Sequence, residues 1–218
     1  MQFFPRVVFY WRVYNLSVPV TETVVVTWFI MAVLIAASYY AGKSLGRKAG
    51  LFQQLAEVFY EGVERLVEET MGSERMGFVP YIGTLAAFLL LSNLSGLLTL
   101  RPPTADLSTT FGLAVITFGL VQREAVRRKG FAGYLKSFFE PLPLLAPLNI
   151  IGSFANPVSM AFRLFGNILG GKIITGLIYS AVPLLVPVAL HFYFDVFAGV
   201  LQAFIFVMLT AVFVSMAD

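Results

Sequence analysis

The chain has no cysteine among its 218 residues, and His191 is its only histidine. Without thiols there can be no disulfide framework, no catalytic thiolate and no cysteine-based metal site. No cluster of metal ligands and no nucleophile elbow is present, so we expect neither a metal nor a cofactor. Charged residues are also scarce, at 12% of the chain against about 25% in a soluble domain. The net charge of +3, with no basic groove interleaved with aromatics, gives no indication of nucleic-acid binding.

Hydrophobic residues, in contrast, make up 58% of the chain. This composition indicates a membrane protein, and 218 residues leave room for about five spans of roughly 20 residues each. We therefore expect residues 1–218 to form a single membrane domain. The stretch up to Ser17 is interrupted by Pro5, Arg6 and Arg12, and it lacks the continuous apolar core of a signal peptide. The first membrane segment is therefore expected to be retained as an anchor.

The predicted fold class is an all-α membrane protein with about five membrane segments and one amphipathic helix. In residues 51–71, apolar side chains recur at helical spacing and five glutamates occupy the other side. Such a helix lies at the membrane interface or packs on a partner, and a solvated acidic face is an equally weighted alternative. The last two segments are predicted to form a long, tilted hairpin that turns near Pro183 and Pro187. The predicted membrane segments are 23–41, 78–100, 107–121, 148–181 and 188–217.

The distribution of basic residues predicts the orientation in the membrane. Lys43, Arg47, Lys48 and the basic cluster between 123 and 136 should share the cytoplasmic side. Five crossings satisfy this requirement if the N-terminus is outside and the C-terminus is cytoplasmic. The single cation Arg101 then faces out.

The most informative feature is the charge within the last apolar region. Between Leu142 and Ala217 the only charged side chains are Arg163, Lys172 and Asp195. A charge at the centre of the bilayer costs about 2.5–3.5 kcal/mol on insertion scales. Arginine also cannot lose its proton at ordinary pH. A permanent cation at such a depth repels passing cations or pairs with a carboxylate, and this is the chemistry of ion translocation.

Helical spacing sorts the polar side chains of this region into two stripes. Ser159, Arg163 and Asn167 are four residues apart and should share one face of a helix. On the last helix, the polar stripe is predicted to contain His191, Asp195 and Gln202.

Lys172 is predicted to point away from the stripe of Arg163. It precedes the Pro183–Pro187 turn by about as many residues as Asp195 follows it, so the two side chains are predicted to form an ion pair. Simpler interpretations stay open for each residue. They are a purely structural ion pair, an interhelical hydrogen bond from Gln202, and a water-exposed His191.

Five motifs resemble, in order, the signatures of subunit a of F-type ATP synthases, and the resemblance covers nearly the whole chain. Two of them lie in the last hairpin: Arg163-Leu-Phe-Gly-Asn167 and Leu201-Gln-Ala-Phe-Ile-Phe206. The other three are Pro102-Pro-Thr-Ala-Asp-Leu-Ser-Thr-Thr110, Gly130-Phe-Ala-Gly-Tyr-Leu-Lys136 and Pro147-Leu-Asn-Ile-Ile151. The resemblance implies a stator beside a rotating ring of c subunits, with peripheral-stalk b subunits and the remainder of the synthase as further partners. It also implies an energy-transducing membrane, such as a bacterial plasma membrane, and no bond chemistry by this chain itself.

The resemblance further implies roles for individual residues. Arg163 matches the essential arginine that faces the ring and separates two aqueous half-channels. Asn167 and Gln202 match polar positions beside the proton path, and Ser159 matches one toward the cytoplasm. Asp195 falls at an outer relay position, with His191 near it on the side where protons enter.

Lys172 departs from the family pattern, because many relatives have a glutamate there. Ser153 and Asn156 also occupy positions where charged residues are common in the family.

Two other classes of function compete with this interpretation. A secondary transporter would place a substrate site between the polar stripes, but the chain lacks a detectable repeat in two halves. An intramembrane hydrolase would need a catalytic set that the sequence does not supply. The coupling ion, proton or sodium, is not specified by this chain, because its ligands lie mostly on the ring.

Overall fold

The computed structural model describes residues 6–13, 16–44, 50–98, 100–140, 142–181, 190 and 192–217. Its helices are α1 Glu22–Ser44, α2 Leu51–Met71, α3 Val79–Leu94, α4 Leu107–Ser137, α5 Ala146–Ala181 and α6 Gly199–Ser215. A π-helical segment, Phe192–Ala198, runs directly into α6. Short 3-10 turns flank α3 and precede α4 and α5; they are Ser73–Phe78, Ser95–Leu98, Pro103–Ala105 and Pro143–Leu145.

Within the described residues, four helical stretches are long and apolar enough to cross a membrane. They are Glu22–Lys43, Ser73–Leu98, Pro143–Ser180 and Phe192–Ser215. The predicted class, a helical membrane protein, is confirmed.

The helix predicted to end as a span at 121 extends further than expected. α4 continues to Ser137 and breaks only at Gly130, whose φ of +71° is a conformation that favours glycine. Its apolar part is still the short 107–121 stretch, so its crossing of the membrane stays a prediction.

The N-terminal region forms a β-hairpin that the sequence analysis did not predict. Strand β1, Val7–Val13, pairs antiparallel with β2, Leu16–Thr21, and Tyr10 faces Pro19 in the register. Valine, phenylalanine, tyrosine and tryptophan in β1 favour an extended backbone. Tyr10 and Trp11 are exposed, as is usual for aromatic side chains that sit at a membrane interface.

Contacts between helix ends show that the helices alternate in direction. Thr23 Oγ1 donates to Asp106 Oδ2 at 3.1 Å, which brings the beginnings of α1 and α4 together. Near the end of α3, the Asn93 side chain donates to the carbonyl of Gly199 at the beginning of α6. At the opposite end, the last turns of α4 and α6 meet the beginning of α5 around a cavity. This alternation is what five successive crossings require.

The core lies where α2, α3, α5 and α6 meet. Ile82 and Leu89 of α3, Leu164 of α5 and Phe206 of α6 have almost no exposed surface. A smaller cluster joins α1 to α3. In lipid, this close packing supplies dispersion energy, because burying apolar surface brings no hydrophobic gain there. The buried members of the main cluster are Val63, Val67, Met71, Val79, Ile82, Leu85, Leu89, Met160, Leu164, Ala203, Phe206, Val207, Ala211 and Val214.

Candidate functional site

Arg163 lies near the middle of α5, on a face that the other described residues leave uncovered. Its side chain is exposed, and so are Ser159 and Phe162 beside it. Among the residues that the structure describes, no acidic side chain lies within 4.0 Å of the Arg163 guanidinium. Three glycines of α5 are equally open, since a Cβ on Gly152, Gly166 or Gly170 would meet nothing within 4 Å. A cation therefore projects from an apolar helix face into space that the described part of the chain does not fill.

Asn167 and Gln202, by contrast, are directed into the protein. Asn167 is half-buried, and its Nδ2 donates to the carbonyl oxygen of Ala198 at 3.3 Å. Gln202 is 6% exposed. The residues of the predicted stripe therefore do not all face the same way. Ser159 and Arg163 face outward, whereas Asn167 contacts the segment that leads into the last helix.

Lys172 belongs to a cluster of four charges at the end where α1 begins. It lies within Coulombic range of Asp195, and also of Arg101 and Glu22. The predicted partner of Lys172 is therefore nearby, together with one further anion and one further cation. Whether Lys172 and Asp195 act as a unit stays a prediction. His191 and the Pro183–Pro187 turn lie outside the described residues.

Asp195 occupies the middle of the π-helical segment. Such turns are rare within helices and occur frequently at functional sites. A Cβ built on Gly96 would lie 3.3 Å from Asp195 Oδ1, so the carboxylate lies against the turn that ends α3. On an ideal α-helix, Asp195 and Gln202 would lie on one face. The wider π turn changes the rotation per residue and therefore the angle between the two side chains.

The opposite end of the protein contains a cavity of about 250 Å³ between α4, α5 and α6. Its polar lining includes Ser153 and Asn156 of α5 together with Gln122 and Tyr134 of α4. The Tyr134 hydroxyl donates to Gln122 Oε1 at 2.7 Å. Burial raises the pKa of Tyr134, so its hydroxyl remains a neutral donor. This cavity can hold water between hydroxyl and amide groups, as an ion path requires.

Several polar residues of this arrangement were not predicted from the sequence. Glu22 and Arg101 join the charge cluster, and buried Asn93 and Thr104 hydrogen-bond each other next to the π segment. A signal was available for Asn93, because an amide within the apolar stretch of the second span needs a partner.

The protein has several helices that can each cross the membrane, and one of them has an exposed cation halfway along it. Polar groups lie at both ends of the protein. These features are those of an ion-translocating membrane protein. The comparisons with known proteins identify the family. The family described as ATP synthase A chain matches residues 24–215. The chain is 41% identical over 212 residues to "ATP synthase subunit a, sodium ion specific" of Propionigenium modestum, covering 90% of this chain and 73% of that protein.

Two further relatives are named simply as subunit a. "ATP synthase subunit a" of Moorella thermoacetica is 38% identical over 199 residues, with 91% of each chain covered. "ATP synthase subunit a 2" of Acaryochloris marina is 36% identical over 211 residues, covering 95% of this chain and 88% of that one. The chain belongs to the ATP synthase subunit a family. It is therefore a multi-pass, ion-translocating membrane subunit that works in complex with other synthase subunits and performs no catalysis itself.

Proposed function

We propose that this chain is the stator that passes ions to and from carboxylates on a rotating ring of c subunits. The observation that carries the proposal is the exposure of Arg163 on an apolar face, with no carboxylate of the described residues within 4.0 Å. An unpaired arginine at the bilayer centre costs about 2.5–3.5 kcal/mol. A carboxylate 4 Å away offers about 4 kcal/mol of attraction at an effective dielectric constant of 20. A ring carboxylate would therefore offset the cost of placing Arg163 there.

The arginine would act electrostatically at the point where ring and stator meet. Its charge favours the ionised form of each carboxylate that passes, and so promotes release of the bound ion. The same charge repels cations, which prevents leakage straight through the subunit. The open glycine positions Gly152, Gly166 and Gly170 would allow ring helices to come close to α5.

Two half-channels would connect this point to the two sides of the membrane. The charge cluster around Asp195 and Lys172 would form the outer one, with His191 on the side where ions enter and Gln202 and Asn167 further inward. The cavity lined by Ser153 and Asn156 would form the inner one, with Ser159 between that cavity and the arginine.

Position in the membrane and the remaining partners follow from the same arrangement. We place the N-terminus outside and the C-terminus in the cytoplasm of a bacterial plasma membrane, because Lys43 and the basic end of α4 would then be cytoplasmic. α2 leaves Leu51, Leu55 and Val58 exposed beside its glutamates. Peripheral-stalk b subunits or the lipid interface would cover this surface.

Cross-linking from the arginine face tests the proposal. A photoreactive maleimide on Ser159→Cys in the assembled synthase should form an adduct with a c subunit. The matched control is Gly112→Cys, an exposed position on α4 where a Cβ would meet nothing within 4 Å. Equal c-subunit adducts from both positions, or none from Ser159→Cys, would contradict the proposed ring contact.

The coupling ion is decided by measuring ATP-driven uptake of protons and of ²²Na⁺ in vesicles that contain the synthase. Both ions are tested because one relative is named as sodium ion specific.

A further inference from the structure

The π-helical segment is held in place by side chains from two other helices. The Nδ2 of Asn93, near the end of α3, donates to the carbonyl oxygen of Gly199 at 2.7 Å. The Nδ2 of Asn167 on α5 donates to the preceding carbonyl, that of Ala198. Ala198 is the last residue of the π segment and Gly199 the first of the regular helix. The two amides thus bind the chain where the wide turn gives way to α-helix.

Asn93 is itself fixed by a second hydrogen bond. Thr104, in the 3-10 turn before α4, donates its hydroxyl to Asn93 Oδ1 at 2.8 Å. Asn93 is 1% exposed and Thr104 is fully buried. Because Thr104 occupies the oxygen of the amide, the nitrogen is directed at Gly199. A chain of two buried hydrogen bonds therefore runs from the α3–α4 connection to the beginning of α6.

Missing side chains make room for the wide turn on three sides. A Cβ on Gly199 would lie 3.1 Å from Asn93 Cβ, and one on Gly171 would lie 3.0 Å from the ring of Phe194. A Cβ on Gly96 would lie 3.3 Å from the Asp195 carboxylate. At all three glycines a Cβ would have a carbon neighbour closer than the 3.5–4.0 Å at which carbon atoms attract best, since the Asp195 Cγ lies 3.4 Å from the Gly96 position. The surroundings are thus shaped to accept a π turn at this point.

We infer that Asn93, oriented by Thr104, is a positioning residue that holds the π turn and thereby sets where the Asp195 carboxylate lies. A π turn is seldom stable without support from its surroundings. Without the clamp, the segment can relax toward a regular α-helix, which rotates Asp195 away from Gly96. This inference depends on the proposed function only for what Asp195 does, since the geometry it concerns can be measured without ion transport.

A disulfide between two introduced cysteines reports the geometry directly. Because the chain has no cysteine of its own, Gly96→Cys and Asp195→Cys introduce the only two thiols of this subunit. The second substitution also removes the carboxylate oxygen that a Cβ at residue 96 would crowd. In the assembled synthase, oxidation should link the two rapidly. Adding Asn93→Leu or Thr104→Val should slow the reaction about tenfold, the scale expected when one buried hydrogen bond is lost.

The matched controls separate the hydrogen bond from general effects of mutation. Thr104→Ser keeps the hydroxyl and should restore rapid cross-linking. Thr210→Val removes an equally buried hydroxyl of α6 that bonds only to its own helix, at Phe206 O, and should change nothing. In a chain with Asp195 intact, Asn93→Leu and Thr104→Val should also slow ATP-driven ion uptake at unchanged assembly.

Cross-linking in Thr104→Val that equals the Thr210→Val control would overturn the inference, even if Asn93→Leu fails to assemble. Slowed cross-linking with unchanged ion uptake would instead refute the transport role proposed for Asp195. The proposed function is tested separately. It requires Arg163→Ala to abolish coupling, whatever the cross-linking experiment shows.

Discussion

Gly171 is the position where adding one methyl group should damage the protein most clearly. A Cβ there would lie 3.0 Å from Cγ and Cδ1 of Phe194 and 3.1 Å from its Cβ, about 0.5 Å closer than comfortable carbon contacts. Rotating the ring cannot relieve the contact with Phe194 Cβ, which is attached to the backbone of the π segment. α5 and the π segment must therefore separate or strain, at a cost of about 1–3 kcal/mol for overpacking.

The control for Gly171→Ala is Gly112→Ala, where a Cβ would meet nothing within 4 Å. Both substitutions gain the roughly 1 kcal/mol by which alanine favours a helix over glycine, so the clash alone distinguishes them. The assay is loss of this subunit from the purified synthase over a series of temperatures. At about 2–4 °C per kcal/mol for a chain of this size, Gly171→Ala should melt about 2–12 °C below Gly112→Ala. Equal melting of the two variants would refute the packing described between α5 and the π segment.

Three further predictions concern topology, electrostatics and capping. A membrane-impermeant thiol reagent should label Lys43→Cys from the cytoplasm and Ser108→Cys from outside; labelling of both from one side would overturn the five-crossing arrangement. In a double-mutant cycle of ion-pumping rates, Lys172→Gln with Asp195→Asn should be no worse than Asp195→Asn alone, whereas additive losses would show that the two charges act independently. Asp106→Ala should destabilise the subunit by about 0.5–2 kcal/mol in the same heating assay, because the Asp106 carboxylate caps α4 through the Ser108 amide at 3.1 Å; unchanged melting would contradict the cap.

The helical architecture could be predicted because a membrane segment is recognisable as a long stretch of apolar residues. The apolar stretches corresponding to α1, α5 and α6, and the helical periodicity of α2, are visible in the sequence. The extension of α4 to Ser137 was missed, since its second half is basic and lacks apolar periodicity. The hairpin of β1 and β2 was missed as well, because its connecting residues include no glycine turn that would mark it.

The candidate site was predictable where a residue is unusual on its own. Arg163, Lys172 and Asp195 are the only charges of their region, so their importance does not depend on knowing the fold. Asn93 is noticeable as an amide in an apolar stretch, but its role could not be predicted. Its significance, like that of Thr104, arises from their contacts with each other and with Gly199 across the fold. The π turn could not be predicted from a pattern of 3.6 residues per turn, so the common face of Asp195 and Gln202 was inferred for an ideal helix and stays a prediction.

In the proposed mechanism Arg163 couples ion flow to rotation, and ATP synthesis in membranes carrying Arg163→Ala is the measurement that decides this. Because the Arg163 side chain is exposed and no described carboxylate lies within 4.0 Å of it, the substitution should leave assembly of the synthase largely intact. Ion-driven ATP synthesis should nevertheless be abolished, and Arg163→Lys should fail as well, since lysine keeps the charge but lacks the planar fork of the guanidinium. Near-normal ATP synthesis in Arg163→Ala membranes with assembled synthase would contradict the account.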